Sequence, residues 1–428
     1  MACHSVLARV STESLNGILS ATSPQDSSQF CKTMTGFMLH SCPPPMRAKI
    51  LDVIAYKRLD EITIANRAVI IRAIQRCLLS PLHTEKAVLH AAACSILRST
   101  YGHELSMLKE QIHLDDDLVF GDGETPETFN RDDANDAALA DDMSTLPHSG
   151  DLPQLVFGNK NVTEVVQVMQ HIAVEALKVQ QESPALVKVV SDIDDTLYPG
   201  WLDRRYPLHV PYPGVSELYA RLSRSLGDET KGGDKLPPSI TFLTARPRGW
   251  LSMGRYLTIQ HLRSLGVPHA TVLNGSVQGL VSSKKIADVK MENFRRFASL
   301  FPEFKFVFFG DSGQGDALLA SRLLQSCEQQ VLATFIHDVT PGVERTGDGQ
   351  RKDVYRAQGV QFFETYPGAS LEARAKGLLS DDDVRAVCRR AHEELSDMLF
   401  VGSDSDVKKA QRSRELDEEL ARIHRELS

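Results

Sequence analysis

Apolar positions recur along the chain with two different periods. From about Leu155 onward, short runs rich in β-branched and aromatic residues alternate with longer stretches of helical period. The runs are Val187-Lys188-Val189-Val190, Ile240-Thr241-Phe242-Leu243, Ala270-Thr271-Val272-Leu273, Phe306-Val307-Phe308-Phe309 and Ala333-Thr334-Phe335-Ile336. Helical stretches such as Val215 to Arg224 and Ile286 to Leu300 separate them. Strands alternating with helices predict an α/β fold, an open sheet with helices on both faces. Upstream, Ile62, Ala65, Val69, Ala73, Cys77 and Leu78, then Val88, Ala92 and Ile96, follow helical spacing, with Pro81 placed to break the helix between them. After Ser380 the pattern is again helical and highly charged, and Ser380 with Asp383 has the spacing of a capping box.

These patterns predict five regions. Residues 1–45, rich in Ser, Thr and Met and ending in Cys42-Pro43-Pro44-Pro45, read as a flexible tail. Residues 46–114 form a small helical region, and 115–151 an acidic linker. The α/β domain occupies 152–378, and charged helices close the chain from 379 to 428. The acidic stretch carries twelve carboxylates against Arg131 alone, a charge of about −11 in a chain whose net charge is −8. Its Asp115-Asp116-Asp117 cluster lacks the alternate carboxylates, glycine and final glutamate of a calcium loop, so it reads as a solvated linker.

The 428 residues suffice for more than one core. The acidic balance excludes a general nucleic-acid binder, which needs a basic surface. Seven scattered cysteines without a CxxC pair suggest neither a disulfide framework nor a zinc site, and point to a reducing compartment. No signal peptide and no apolar run of spanning length is evident, so a cytoplasmic protein with at most peripheral membrane contact is expected.

Ligands of open α/β sheets bind beyond the carboxyl ends of the strands. The first predicted strand ends in Ser191-Asp192-Ile193-Asp194-Asp195-Thr196, and the second ends at Thr244. Lys290 lies on the helix before the fourth strand, which ends in Gly310-Asp311-Ser312-Gly313-Gln314-Gly315-Asp316. In order along the chain, these supply a carboxylate to attack, a second to move a proton, more for a hard cation, and a hydroxyl and an ammonium for phosphate. Mg²⁺ takes oxygen ligands and keeps several waters, so few carboxylates are needed. Carboxylates serve as nucleophiles in phosphoryl transfer. Lys284 and Lys285 are alternatives to Lys290, and Thr244 could instead satisfy a strand end.

The set resembles the haloacid dehalogenase superfamily of phosphohydrolases, and within it the catalytic domain of the actin-patch-associated phosphatidate phosphatases. Ser191 to Thr196, Pro213-Gly214-Val215, Glu217-Leu218-Tyr219, Lys290, Phe301-Pro302, Phe304-Lys305-Phe306 and Gly310 to Asp316 carry this resemblance. So do Ile336-His337-Asp338-Val339 and Phe362-Phe363-Glu364-Thr365-Tyr366. It covers about residues 185–378 and implies a doubly wound parallel sheet. It also implies Asp192 as nucleophile and metal ligand, and Asp194 as general acid and base offering its carbonyl to Mg²⁺. Thr244 and Lys290 would hold phosphate, Asp311 would complete the metal site, and Asp316 would be a supporting carboxylate. The second motif, Leu243-Thr244-Ala245-Arg246-Pro247, is closer to the lipin stretch, although Asp195 stands where lipins have glycine.

The spacings leave room for little or no cap, so the mouth is expected to be open. An open mouth suits phosphatidate at a membrane surface, hydrolysed to diacylglycerol and phosphate. Trp201, Tyr206 and Tyr212 with Arg204 and Arg205 offer the aromatic and basic character of a lipid interface. A phosphatase for phosphoproteins or soluble esters is the alternative, and a catalytically weak scaffold built on the helical N-terminal region is a second one.

Overall fold

The computed structural model describes residues 3–21, 33–79, 84–113, 152–182, 186–200, 202–224, 240–247, 270–275 and 282–428, and the side chains among these except at 79, 113, 224, 244–247 and 270–275. The acidic stretch 115–151 and Trp201 lie outside the described residues. The chain divides into two compact units, Met1–Glu182 with Ser299–Glu303, and Ser183–Ala298 with Phe304–Ser428.

The first unit is helical. Among its described residues, the longer helices are Ile64–Leu79, Lys86–Arg98, Gly102–His113 and Val162–Glu182. Its core includes Ile70, Ile74, Leu89, Ile96, Leu108 and Ile172, all fully buried. The described part of the expected tail is not loose. Helices Thr12–Ser20 and Met34–Ser41 form there, and Leu15, Leu19, Met38 and Leu39 are buried. Polar ties explain why composition misled. Arg58 donates to the carbonyls of Leu7 and Val10 at 2.7 and 2.8 Å, and Asn16 donates to Glu61 O at 2.8 Å. A segment poor in long apolar runs is held through hydrogen bonds whose partners lie 45–51 residues away. The predicted domain start at residue 152 is also corrected, because helices Leu152–Phe157 and Val162–Glu182 cluster with this unit.

Among the described residues, the second unit is built on six parallel strands. These are β1 (Leu186–Ser191), β2 (Ile240–Pro247), β3 (Ala270–Gly275), β4 (Phe304–Asp311), β5 (Val331–His337) and β6 (Gln361–Phe363), in the order β3-β2-β1-β4-β5-β6. β1 pairs with β4 from Leu186↔Phe304 to Ser191↔Phe309 and with β2 from Val189↔Ile240 to Ser191↔Phe242. Every residue of β1 is buried, as a parallel sheet covered on both faces requires. On one face Val187, Val189, Val307, Phe309 and Phe335 pack with Leu218, Tyr219, Tyr366 and Val387 of helices Val215–Arg224, Tyr366–Ala375 and Asp381–Asp397. On the other, Phe306 meets Phe294 and Phe297 of helix Ser283–Leu300 at ring distances of 5.2 and 5.9 Å. This is the doubly wound α/β sheet that the alternation of runs predicts.

Three expectations change in detail. β2 runs on to Pro247, with an irregular register between Leu243 and Pro247, so Thr244 lies within the strand rather than at its end. β6, only three residues long, escapes any period-based reading. The C-terminal helices are not a separate region after residue 378. Val384 and Cys388 form a cluster with Leu371, Ile423 and Leu427, so these helices complete the second unit. Ser380 and Asp383 do form the capping box, each side chain accepting the other's backbone N–H. No helix among the described residues is long and apolar enough to cross a membrane.

The fold turns on Phe309, fully buried, with its ring 4.8 Å from Tyr219 and 5.0 Å from Phe335. Phe309→Ala is expected to destabilise the second unit by about 3–5 kcal/mol, read from urea unfolding followed by circular dichroism.

Candidate active site

The strand order reverses between β1 and β4: the chain runs outward through β2 and β3 on one side and through β5 and β6 on the other. At such a reversal the loops leaving two neighbouring strands diverge and open a crevice at their carboxyl ends. β1 delivers Asp192 and Asp194 there, and β4 ends on Asp311. The backbone ladder continues into the motif, with Asp192 N–H donating to Phe309 O at 2.9 Å.

Asp192, Asp311 and Asp316 are all buried, and each offers one carboxylate oxygen within 4.8 Å of the others. Lys290, 1% exposed, reaches in from helix Ser283–Leu300 and donates to Asp192 Oδ1 at 2.7 Å and Asp316 Oδ1 at 2.6 Å. Lys284 and Lys285, the alternatives, are exposed near the start of that helix. Asp311 Oδ1 accepts the N–H of Gly313 at 2.6 Å. Gly310 is required by the close approach of Asp316, whose Cβ would lie 2.5 Å from any Cβ at position 310. Asp194 is buried beside the cluster. The side chain of Thr244 lies outside the described residues, although its backbone belongs to β2.

Three buried carboxylates face one ammonium. Burial pushes the Asp192 carboxyl up to about 7; Lys290 opposes this, while Asp316 and Asp194 add repulsion. Burial, then repulsion from Asp316 and Asp192, holds the Asp311 carboxyl well above its usual range. Burial disfavours the Lys290 ammonium, but Asp192 and Asp316 outweigh it and raise its pKa. Asp311 Oδ2 is buried with no hydrogen-bond partner. An oxygen-only donor set with excess negative charge and an orphaned carboxylate oxygen fits a hard divalent cation.

For several residues around the site the sequence gives a motif position but no partner. Ser191 Oγ donates to Asp192 O at 2.6 Å and shares a 2.8 Å hydrogen bond with Tyr219 OH. His337 Nδ1 lies 2.9 Å from Asp195 O. Asp203 accepts from Arg205 Nε at 3.0 Å and from Tyr212 OH at 2.9 Å. That network corrects the lipid-interface reading of Tyr212 and Arg205. Tyr212 is buried, Arg205 is held by Asp203, and Tyr206 stacks edge-on against Tyr212 at 5.4 Å.

A parallel sheet with this reversal, an aspartate pair after β1, a lysine from a later helix and a carboxylate at the end of β4 are consistent with a haloacid-dehalogenase-like α/β domain. Residues 187–338 match a protein-family model described as phosphatidate phosphatase APP1, catalytic domain. The match places this region with phosphoric monoester hydrolases of that type. Comparison with curated proteins and with solved structures gave no match.

His337 offers a test of the electrostatics around the site. Burial and then the Arg205 guanidinium pull its pKa down to about 4, from an ordinary 6.5. Between those values the unfolded chain binds the proton and the folded one does not, so stability falls as pH drops from about 6.5 towards 4. From pH 7 to pH 5 this group should remove about 2 kcal/mol from the second unit. His337→Asn, which keeps an N–H donor, should abolish that part of the pH dependence in urea titrations.

Proposed function

We propose that the protein is a Mg²⁺-dependent phosphatase that forms an aspartyl-phosphate on Asp192 and hydrolyses phosphatidate to diacylglycerol and phosphate. The observation that carries the reading is the buried cluster of Asp192, Asp311, Asp316 and Lys290 at the strand-order reversal. A lone attacking carboxylate needs its charge balanced and its direction set, and Lys290 does both from one side.

Asp192 attacks phosphorus, the bond from phosphorus to the ester oxygen breaks, and Asp194 gives that oxygen its proton. Water then attacks the aspartyl-phosphate as Asp194 takes a proton from it, releasing phosphate and restoring the Asp192 carboxylate and the Asp194 carboxylic acid. Lys290 and the Thr244 hydroxyl hold the phosphoryl oxygens. Asp192, Asp311, Asp316 and the carbonyl of Asp194 would hold Mg²⁺, which supplies charge neutralisation for the phosphoryl group.

Phosphatidate is favoured by the family match and by the rim of the crevice. Leu202 and Leu208 in the loop after β1, and Val343 in the loop after β5, are 45%, 50% and 52% exposed. Exposed cations, Arg204, Lys284, Lys285 and Arg345, lie in the same loops and at the adjoining helix start, with Ser283 Oγ donating to Gly347 O at 3.2 Å. Apolar tips among cations suit an anionic membrane surface. These residues take the place of the buried Tyr212 and of Arg205 as the proposed contact. The protein would work in the cytoplasm, touching membranes peripherally.

Asp192→Asn should lower phosphate release from phosphatidate in Triton micelles by at least about 10³-fold. It removes one of three crowded carboxylates, so its melting temperature without metal should equal or exceed that of the native chain. Near-native turnover by the variant would move the nucleophile elsewhere. EDTA should stop the reaction and added Mg²⁺ restore it. Turnover that survives exhaustive chelation would rule out the proposed cation.

A further inference from the structure

Beside the two aspartates assigned to the reaction stands a third, which the chemistry leaves unused. Asp195 is fully buried, and its φ of +57° lies in the left-handed region that glycine enters at little cost and aspartate at some. If only the turn mattered, a glycine would serve at lower cost. The carboxylate has other contacts. Its Oδ1 accepts the backbone N–H groups of Gly200 at 2.9 Å and Asp203 at 3.1 Å, and its Oδ2 accepts that of Leu202 at 2.9 Å. The Asp195 N–H donates to Tyr198 O at 2.8 Å, and its carbonyl accepts from His337 Nδ1 at 2.9 Å.

All three N–H groups belong to one short loop, and that loop is the wall beside Asp194. Asp194 and Tyr198 form a parallel bridge. The backbone of Gly200 presses so closely on the Asp194 side chain that a Cβ there would lie 2.7 Å from Oδ1 and 3.0 Å from Cβ. A side chain that gathers three backbone N–H groups of one loop restrains that loop at three points, and losing it leaves three donors to be satisfied elsewhere.

We propose that Asp195 is a positioning residue: it draws in the backbone of Gly200, Leu202 and Asp203 and so fixes the rotamer from which Asp194 transfers its proton. The proposal rests on the reading of Asp194 as the general acid and base. A neighbour held in place from behind loses reach when the support is removed, and proton transfer is sensitive to such displacement.

Two substitutions in the full-length chain test this. Asp195→Gly keeps the left-handed backbone and removes all three acceptor contacts. Asp195→Asn keeps the Oδ1 acceptor and turns an amide N–H towards that of Leu202. With Mg²⁺ present, kcat/KM is measured on p-nitrophenyl phosphate, whose leaving group needs no proton, and on glycerol phosphate, whose alkoxide does. In that step the Asp192–phosphorus bond forms, the ester bond breaks and the Asp194 proton passes to the leaving oxygen.

The glycine variant should lose at least about tenfold more on the alkyl ester than on the aryl ester, with the asparagine variant between it and the native chain. Equal losses on both esters would mean a general structural or metal-binding role and overturn the proposal. So would native rates for the glycine variant. A native chain that turns over neither ester nor phosphatidate would remove the phosphatase reading itself, and the proposal with it.

Discussion

The Lys290 ammonium, buried between Asp192 and Asp316, is the interaction on which the site depends. Three carboxylates cannot be brought together out of water without compensation, because burial and mutual repulsion both oppose their ionised forms. Lys290 supplies one positive charge, directed by two hydrogen bonds, and leaves Asp311 Oδ2 unpartnered. What remains is a concentrated negative charge in a fixed crevice, the condition in which a divalent cation and a phosphoryl group bind together.

The scaffold makes that arrangement affordable in geometric terms. β1, buried throughout, and β4, buried except at Lys305, lie side by side, paired over six residues from Leu186↔Phe304 to Ser191↔Phe309. Their ends are therefore rigid, and rigid strand ends hold functional groups more accurately than loops do. Around them the polar groups are linked in sequence: Ser191 to Tyr219, Asp195 to Gly200, Leu202 and Asp203, His337 to Asp195, and Asp203 to Tyr212 and Arg205. A buried polar group without a partner is costly, so these links select one conformation of the crevice wall.

The helical unit and the sheet-bearing unit illustrate different kinds of information. In the sheet, hydrophobic runs such as Phe306-Val307-Phe308-Phe309 are dense enough to announce buried parallel strands. In the helical unit, Arg58 and Asn16 tie down segments whose composition looks like a tail. Long-range hydrogen bonds leave no periodic trace, which is why that order was not legible. The end of the sheet domain was misjudged for a related reason. A charged helix looks solvated as a whole, although Val384, Cys388 and Leu395 bury one stripe of it.

By itself, the sequence determined the α/β class, five of the six strands, the capping box at Ser380 and the residue types available for phosphoryl chemistry, because each is written in local period and spacing. Only the tertiary structure decided that Lys290 rather than Lys284 or Lys285 enters the crevice. It also decided that Tyr212 and Arg205 belong to a buried network around Asp203, and that the strand order reverses between β1 and β4. Those outcomes depend on which side of a helix or loop faces the sheet and on the order in which strands pair. Both are set by packing among segments far apart in the chain, and no local pattern encodes them.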